Sequence, residues 1–463
     1  MEKVKLWQKP KMNTTSQGSD PWEVVFKQDL MSGEGGIRTH GGPKGHNGFR
    51  DRPIQPLWHL SEQRRNYILF CTRSSTITPM QINEPVISTS ESVRATWAEV
   101  NLTRLSRNLQ AIRAHVTPAR VMIIVKANAY GHGLAEVAKT LGPQADYVGV
   151  AVLEEGIFLR ELGVKAPIIV LGGIWGDQVP QYLKHDLTLT ASSVERLEQI
   201  DSMAAKMGVK AKVHLKIDTG MERIGVHYYS AHTLQETALH LKNIQVEGIY
   251  SHFANADMSD LSHARLQLER FNEVLRFYEK NSLPMPIRHM ANSAAILQLP
   301  ESHLDMVRPG IMLYGVYPAA QVLRTVEVQP ALAWKSRVVY FKVVRAGHPV
   351  SYGSTWQSDH PVRIVTVPVG YGDGYFRSLS NRAQVIIRNQ KYPQVGRVCM
   401  DQMMVNIEAD SGFNGDEVTL IGEAGEAAIT AQDLADWAGT IPYEILTNIN
   451  TRVPRVYYTE DKT

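Results

Sequence analysis

From about residue 96 the chain alternates short apolar runs with longer stretches in which apolar residues recur every three or four positions. The short runs predict buried strands: MIIVK (122–126), YVGVAV (147–152), PIIVLG (167–172), LTLT (187–190), KVHLKI (212–217), QVEGIYSHF (245–253), IRHMAN (287–292) and MVRPGIMLYG (306–315). The intervening stretches, such as 153–162, 193–207 and 262–281, carry the spacing of amphipathic helices. Strands apolar on both faces and separated by helices are the mark of βαβ units. Eight of them in roughly 220 residues predict a (β/α)8 TIM barrel. A doubly wound open sheet is the alternative, but its first strand turns into a glycine-rich phosphate loop, and here that position reads KANAYGHG.

After about residue 325 the alternation stops. WKSRVVYFKVV, VRIVTVPVG, AQVIIR, MMVNI and EVTLIG are strand-like runs separated by Gly, Asp and Asn turns, which predicts an α/β barrel followed by a C-terminal mainly-β domain. TAQDLADWAGTIPYEILTNI reads as helix broken at Pro442. Residues 1–90 lack periodicity and carry clusters such as SGEGGIRTHGGPKGHNG. GGIRTH is what one strand of a transfer-RNA gene's T-arm would encode, so this segment is expected to be upstream DNA read as protein, with the natural start near Met80; a genuine disordered extension is the alternative. The expected division is an N-terminal extension over 1–90, disordered or non-native, a barrel over 91–325 and a β domain over 326–463.

Composition changes this picture little: 43% hydrophobic and 21% charged is ordinary for a soluble chain. Charge matters more. Residues 1–79 hold 12 Lys/Arg against 7 Asp/Glu and the remainder 37 against 39, so the part expected to fold is nearly neutral and has no electrostatic footprint for nucleic acid. Two cysteines, Cys71 and Cys399, make no disulfide framework and point to a reducing compartment, with Cys399 expected as a buried thiol. No run has membrane-spanning length and no signal-peptide pattern opens the chain, so the expectation is a cytoplasmic protein without a membrane partner.

In a barrel the catalytic groups sit at the C-terminal strand ends. The first strand ends on Lys126; the fifth leads into KIDTGMERIG, with Lys216, Asp218 and Arg223; the sixth into SHFANAD, with His252. The seventh runs into HMANSAA, with Asn292 and Ser293, and the eighth into VRPGIMLYG, with Arg308 and Gly310. Singly, a buried lysine or arginine is more often half of a structural ion pair, and Asn-Ser after a strand is an N-cap. Together they describe one polar mouth on an apolar barrel. Ser293 and the Gly310–Ile311 backbone follow strands seven and eight, where this fold holds phosphate. A phosphate site facing a strand-end lysine points to pyridoxal phosphate held as a Schiff base. Arg308 would face the ring nitrogen; a guanidinium keeps its protons, so the ring stays unprotonated and the weakened electron sink favours simple Cα proton exchange. No HExxH or paired Cys/His spacing occurs, so no catalytic metal is expected.

From about 95 to 459 the chain resembles alanine racemases, on VKANAYGHG, DTGMERIG, SHFANAD, ANSAA, VRPGIMLYG, VSYGSTW, VGYGDGY, GRVCMDQ and IPYEILTNINTRVPR. The resemblance implies pyridoxal-phosphate-dependent interconversion of L-alanine and D-alanine, with Lys126 and Tyr352 as bases on opposite faces of the external aldimine. It implies a head-to-tail homodimer in which Tyr352 crosses from the partner subunit. Residue by residue, Lys126 falls on the Schiff-base lysine, and Tyr130, Ser293, Gly310, Ile311 and Tyr443 on phosphate contacts. Arg308 falls on the pyridine partner, Arg223 beneath the ring on the substrate side, and His252 beside the ring. The Met400 amide falls on the substrate carboxylate, Asp401 on a brace of the site entrance and Tyr371 on its narrowest point. Lys216 matches a lysine carbamylated in some members, where the added carboxylate orients Arg223. A tyrosine with an ordinary pKa of about 10 needs positive charge to act as a base, and His252 backed by Arg223 is the implied source. D-alanine biosynthesis for peptidoglycan precursors and alanine breakdown both fit. Three alternatives stand: a decarboxylase of the same architecture, which typically sets an acidic residue at the ring nitrogen; a non-catalytic pyridoxal-phosphate-binding protein, which resembles the barrel alone; and a broad-specificity amino-acid racemase, since Asn255 stands where many alanine racemases carry threonine.

Overall fold

The structure is a computed structural model that describes residues 94–460, so the expectations for residues 1–90, the start near Met80 and Cys71 lie outside the described residues. Eight parallel strands form the barrel: Arg120–Ile124, Tyr147–Val150, Ile168–Val170, Leu187–Ala191, Ala211–Asp218, Ile244–Tyr250, Ile287–His289 and Met306–Val307. The eighth pairs with the first and the fourth with the fifth, which closes the ring. Each strand predicted from the sequence is present. The eighth is the shortest because Pro309 offers no amide to the ladder, and the chain passes into a tight 3-10 turn over Ile311–Tyr314. The helices Leu153–Glu161, Val194–Met207 and Ser262–Lys280 lie where the apolar spacing placed them. Val194–Met207 begins on Ser193, whose side chain accepts from the Arg196 amide, and ends on Gly208 in the left-handed region.

The second sheet has ten strands. Its order is Tyr340–Val344, Val362–Val367, Met403–Asn406, Gln390–Val395, Gln384–Ile387, Glu417–Ala424, Leu332–Arg337, Thr96–Asn101 and Arg455–Tyr458, with Ala427–Ile429 on Glu417–Ala424. Three details differ from the sequence reading. Thr96–Asn101 pairs with Leu332–Arg337 and Arg455–Tyr458, so the β domain draws its strands from both sides of the barrel segment and not only from residues past 325. WKSRVVYFKVV divides at Val338–Val339 into strands with different partners. Helices Ala431–Ala438 and Pro442–Thr447 are separated at Gly439 (φ 75°), with Pro442 as the first residue of the second helix.

One buried apolar cluster runs through both parts of the fold. The join explains the glycines of YGHG. At Gly131 (φ 81°) a Cβ would lie 2.0 Å from the Leu446 carbonyl oxygen, and at Gly133 (φ 95°) 1.8 Å from the Tyr457 hydroxyl. Glycine thus lets the last helix and last strand press against the turn after the first barrel strand. No helix among the described residues is long and apolar enough to cross a membrane.

Candidate active site

Lys126 does not end the first strand; it opens a left-handed turn. Residues 127–130 all have positive φ, between 51° and 54°, although none is glycine. Each such residue costs on the order of 1–2 kcal/mol, so the surroundings must over-determine the shape. Ala129 N donates to Val125 O (2.8 Å), Gly131 N to Ala127 O (3.1 Å) and Gly133 N to Asn128 O (3.0 Å). Asn128 Oδ1 also accepts from Leu134 N at 2.7 Å. The turn holds the Lys126 side chain partly out of water, and that desolvation lowers its pKa; the charges of Arg223 and Arg308 push the same way, and Glu155 opposes them. The result is an amine biased toward its nucleophilic form.

Beside it lies a cradle of neutral donors. Ser293 Oγ accepts from the amides of Gly310 (2.9 Å) and Met312 (3.3 Å), leaving its hydroxyl proton to donate elsewhere. A Cβ at Gly310 would fall 2.5 Å from Tyr130 Oη, so only glycine leaves that gap free. Tyr130 stacks on Tyr314 (5.0 Å) and lies 6.1 Å from Tyr443. Burial raises the pKa of both Tyr130 and Tyr443, which keeps both hydroxyls as donors.

Arg308 is buried under the mouth. It donates to the carbonyls of Ser251 (2.7 Å) and Met290 (3.0 Å) and to His289 Nδ1 (2.8 Å), and lies 3.3 Å from His252 Nδ1. Burial lowers its pKa to about 10, so it stays cationic at neutral pH. Burial, then the Arg308 charge, drives His252 well below the usual histidine range, so His252 is neutral. The positive field here comes from guanidiniums, not from the imidazole expected to supply it. Lys216 is buried, donates to Ile217 O (2.7 Å) and lies 5.3 Å from the Tyr250 ring centre. Arg223 is exposed. Its loop is held by the Asp218 carboxylate, which accepts from the amides of Gly220 (2.8 Å), Met221 (2.9 Å) and Arg223 (3.2 Å). Burial alone would raise Asp218, but these bonds more than offset it and its pKa is lowered.

The remaining expected residues form a second group on the β domain. Tyr352, Met400 and Tyr371 are 70%, 53% and 43% exposed. Ser351 Oγ donates to Arg397 O (2.6 Å), Tyr371 N to Cys399 O (3.0 Å) and Gly372 N to Met400 O (2.9 Å), which draws three loops together. Asp401 pairs with Arg452 at 2.7 Å. Among the described residues no hydrogen bond, ion pair or ring contact joins Tyr352, Tyr371, Met400 or Asp401 to Lys126, Arg223, His252 or Arg308. The site residues thus fall into a recessed mouth and an exposed patch.

The alanine racemase N-terminal domain matches residues 100–318 and the alanine racemase C-terminal domain residues 331–457. The chain belongs to the alanine racemase family. It is 48% identical to the alanine racemase of Carboxydothermus hydrogenoformans over 368 residues, 79% of this chain and 100% of the relative. Among solved structures, the alanine racemase of Clostridium difficile 630 superposes with a TM-score of 0.76 at 38% identity, covering 80% of this chain and 98% of that one. An alanine racemase from Bartonella henselae with covalently bound pyridoxal phosphate gives a TM-score of 0.72 at 27% identity, covering 79% and 99%.

Within this racemase fold, several residues beside the mouth were not singled out from the sequence. His289 Nε2 lies 2.8 Å from His214 Nδ1, which extends the Arg308 contact into a buried chain, and His214 Nε2 has no hydrogen-bond partner among the described residues. Both histidines sit inside apolar runs read as strand; the signal was a polar residue at an inward position of a buried strand. Tyr314 backs Tyr130, and Glu155 reaches the Lys126 turn. Cys399, expected as buried, is half-buried.

Proposed function

We propose that this chain interconverts L-alanine and D-alanine with pyridoxal 5'-phosphate at the barrel mouth, as a head-to-tail homodimer in the cytoplasm. The observation that carries the reading is a single juxtaposition. A lysine with a depressed pKa stands on a strained turn whose last residue, Tyr130, closes against Gly310 and Ser293. The donor set fits the cofactor: an amine to bind it covalently at Lys126, and a guanidinium for the ring nitrogen at Arg308. Hydroxyls and amides of Tyr130, Ser293, Gly310, Ile311 and Tyr443 would take the phosphate. Bound there, pyridoxal phosphate supplies the electron sink that acidifies the substrate Cα–H.

This chain's own residues do the rest. Lys126 holds a proton on one face. Arg308 remains a donor and so keeps the ring nitrogen unprotonated, which disfavours the decarboxylase reading. Arg223 offers its guanidinium from a loop pinned by Asp218. The second base must come from the other face, and Tyr352 is presented outward on the exposed patch with Tyr371, the Met400 amide and Asp401, as a residue serving a partner's mouth would be. Guanidinium charge from the receiving subunit then takes over the task expected of His252. Lys216, lowered to about 7 by burial and Arg308, holds enough neutral amine near pH 7 to take up carbon dioxide as a carbamate, adding a negative charge toward Arg223.

Borohydride reduction of the holoprotein followed by peptide mass analysis tests the assignment. The cofactor mass should sit on the peptide containing Lys126, and L-alanine in deuterium oxide should gain Cα deuterium in step with D-alanine formation. Label on another lysine, or carbon dioxide release in place of exchange, would refute it.

A further inference from the structure

Glu155 is the third residue of helix Leu153–Glu161, where a glutamate ordinarily turns back to accept from the amides that precede the helix. It does so with Oε2, which accepts from Ala151 N at 2.8 Å and Val152 N at 3.4 Å. The other oxygen leaves its own helix. Oε1 accepts from the amide of Ala127 at 2.6 Å, across the gap between the first and second barrel strands. Ala127 is the first of the four left-handed residues, and the turn's own ladder begins only at Ala129 N onto Val125 O. Amides that open a helical turn have no partner within it, so this one needs an acceptor from outside.

We propose that Glu155 is a positioning residue for Lys126, its carboxylate clamping the left-handed turn through the Ala127 amide. One side chain thereby ties the loops after two neighbouring strands together, at the residue directly following the lysine. The strain of 127–130 gives the clamp something to do: without it, Ala127 relaxes toward negative φ and the lysine moves with it. The charge matters as well as the shape. Burial, Arg223 and Arg308 all favour the neutral amine, and Glu155 is the carboxylate that opposes them, so it sets how far the depression goes. A glutamine in its place would keep one acceptor and turn an NH2 donor against a backbone N–H, whichever way its amide is rotated.

This rests on Lys126 being the cofactor lysine, which the borohydride mapping of wild-type protein tests by itself; label elsewhere ends that reading before Glu155 is examined. With Lys126 labelled, apoprotein of wild type, Glu155→Gln and Glu155→Asp is titrated with pyridoxal phosphate at about 420 nm. In the same apoproteins, the pH midpoint of Lys126 acetylation by trace acetic anhydride is read by mass spectrometry. Glu155→Gln should weaken cofactor binding about three- to tenfold, the loss expected when a solvent-accessible charge-assisted bond becomes a mismatched pair, and should move the midpoint to lower pH. Glu155→Asp keeps the charge but is one methylene too short to bridge both loops, so the midpoint should stay while binding weakens. A folded Glu155→Gln protein with an unmoved midpoint overturns the proposal, because capping alone would leave the amine untouched. If Glu155→Gln does not fold, Glu155→Asp decides it: weakened binding supports the clamp, and affinity within about twofold of wild type overturns it.

Discussion

Arg308 donates to His289 Nδ1 at 2.8 Å, and this one contact fixes the protons of a buried chain. An arginine can only donate, so His289 Nδ1 accepts and its proton sits on Nε2, facing His214 Nδ1 at 2.8 Å. Burial first, then the Arg308 charge, pushes His214 to about 3 and His289 well below the usual range, so both rings are neutral and the cation stays on Arg308. His289→Leu should leave one guanidinium edge buried without an acceptor, at a cost of about 1–3 kcal/mol. Thermal denaturation should show a fall of a few degrees, and cofactor affinity should drop with it. His289→Gln, which keeps an acceptor, should lose less in both measurements; equal loss in the two variants would argue against the acceptor role.

The same burial makes Lys216 a reporter of pH. Its pKa is lowered from 10.5 to about 7, burial being the largest cause and Arg308 the next. Below about pH 7 the folded and unfolded chains both carry the proton, and the burial penalty is fully present. As pH rises from about 7 toward 10.5 the folded chain gives up its proton first, so the unfolded state binds more protons and stability increases. Wild type should therefore gain stability relative to Lys216→Met across pH 7.5 to 9.5, by at most about 1.4 kcal/mol per pH unit. Denaturant melts in carbon-dioxide-free buffer measure this directly, and a pH-independent difference would show that the amine is not depressed.

Gly131 and Gly176 both have positive φ, but only Gly131 is crowded. A Cβ there would lie 2.0 Å from the Leu446 carbonyl oxygen, whereas at Gly176 nothing among the described residues lies within 4 Å. Gly176→Ala should cost only the backbone strain, about 1–2 kcal/mol. Gly131→Ala must also push the last helix off the Lys126 turn, so its loss should be clearly larger and should include cofactor affinity. Equilibrium unfolding and cofactor titration of the two variants separate the terms.

The parts of this site that were legible in the sequence are those where charge interrupts an apolar strand. Lys126, Arg308 and the KIDTGMERIG loop stood out because desolvating such groups is costly unless they are used, and the eight strands followed from apolar period alone. The geometry that aims Lys126 was not legible. Ala-Asn-Ala-Tyr carries no glycine, and a left-handed run of such residues exists only because Glu155, Asn128 and the docked last helix enforce it. Thr96–Asn101 shows the same limit for topology: it is not among the strands predicted from the sequence, and its partners lie more than 230 residues away, at Leu332–Arg337 and Arg455–Tyr458. The placement of Tyr352 came from resemblance and not from local pattern, since Tyr-Gly-Ser by itself is turn composition.

The separation of Lys126 from Tyr352 leads to the last prediction. Lys126 lies partly buried in the barrel mouth and Tyr352 on the exposed patch, 70% accessible. If the working site joins the mouth of one subunit to the patch of its partner, each residue belongs to a different chain at every site. Lys126→Ala should abolish exchange from both enantiomers. Tyr352→Phe should mainly block Cα exchange from L-alanine and leave exchange from D-alanine, because only one face loses its base. Neither homodimer should racemise. Refolding the two variants together in equal amounts makes about half the dimers mixed, and each mixed dimer has one site with both native residues. Racemisation should return to about a quarter of the wild-type rate, in proportion to the mixed dimer isolated by differential tags. A mixed dimer without activity would place both bases on one chain.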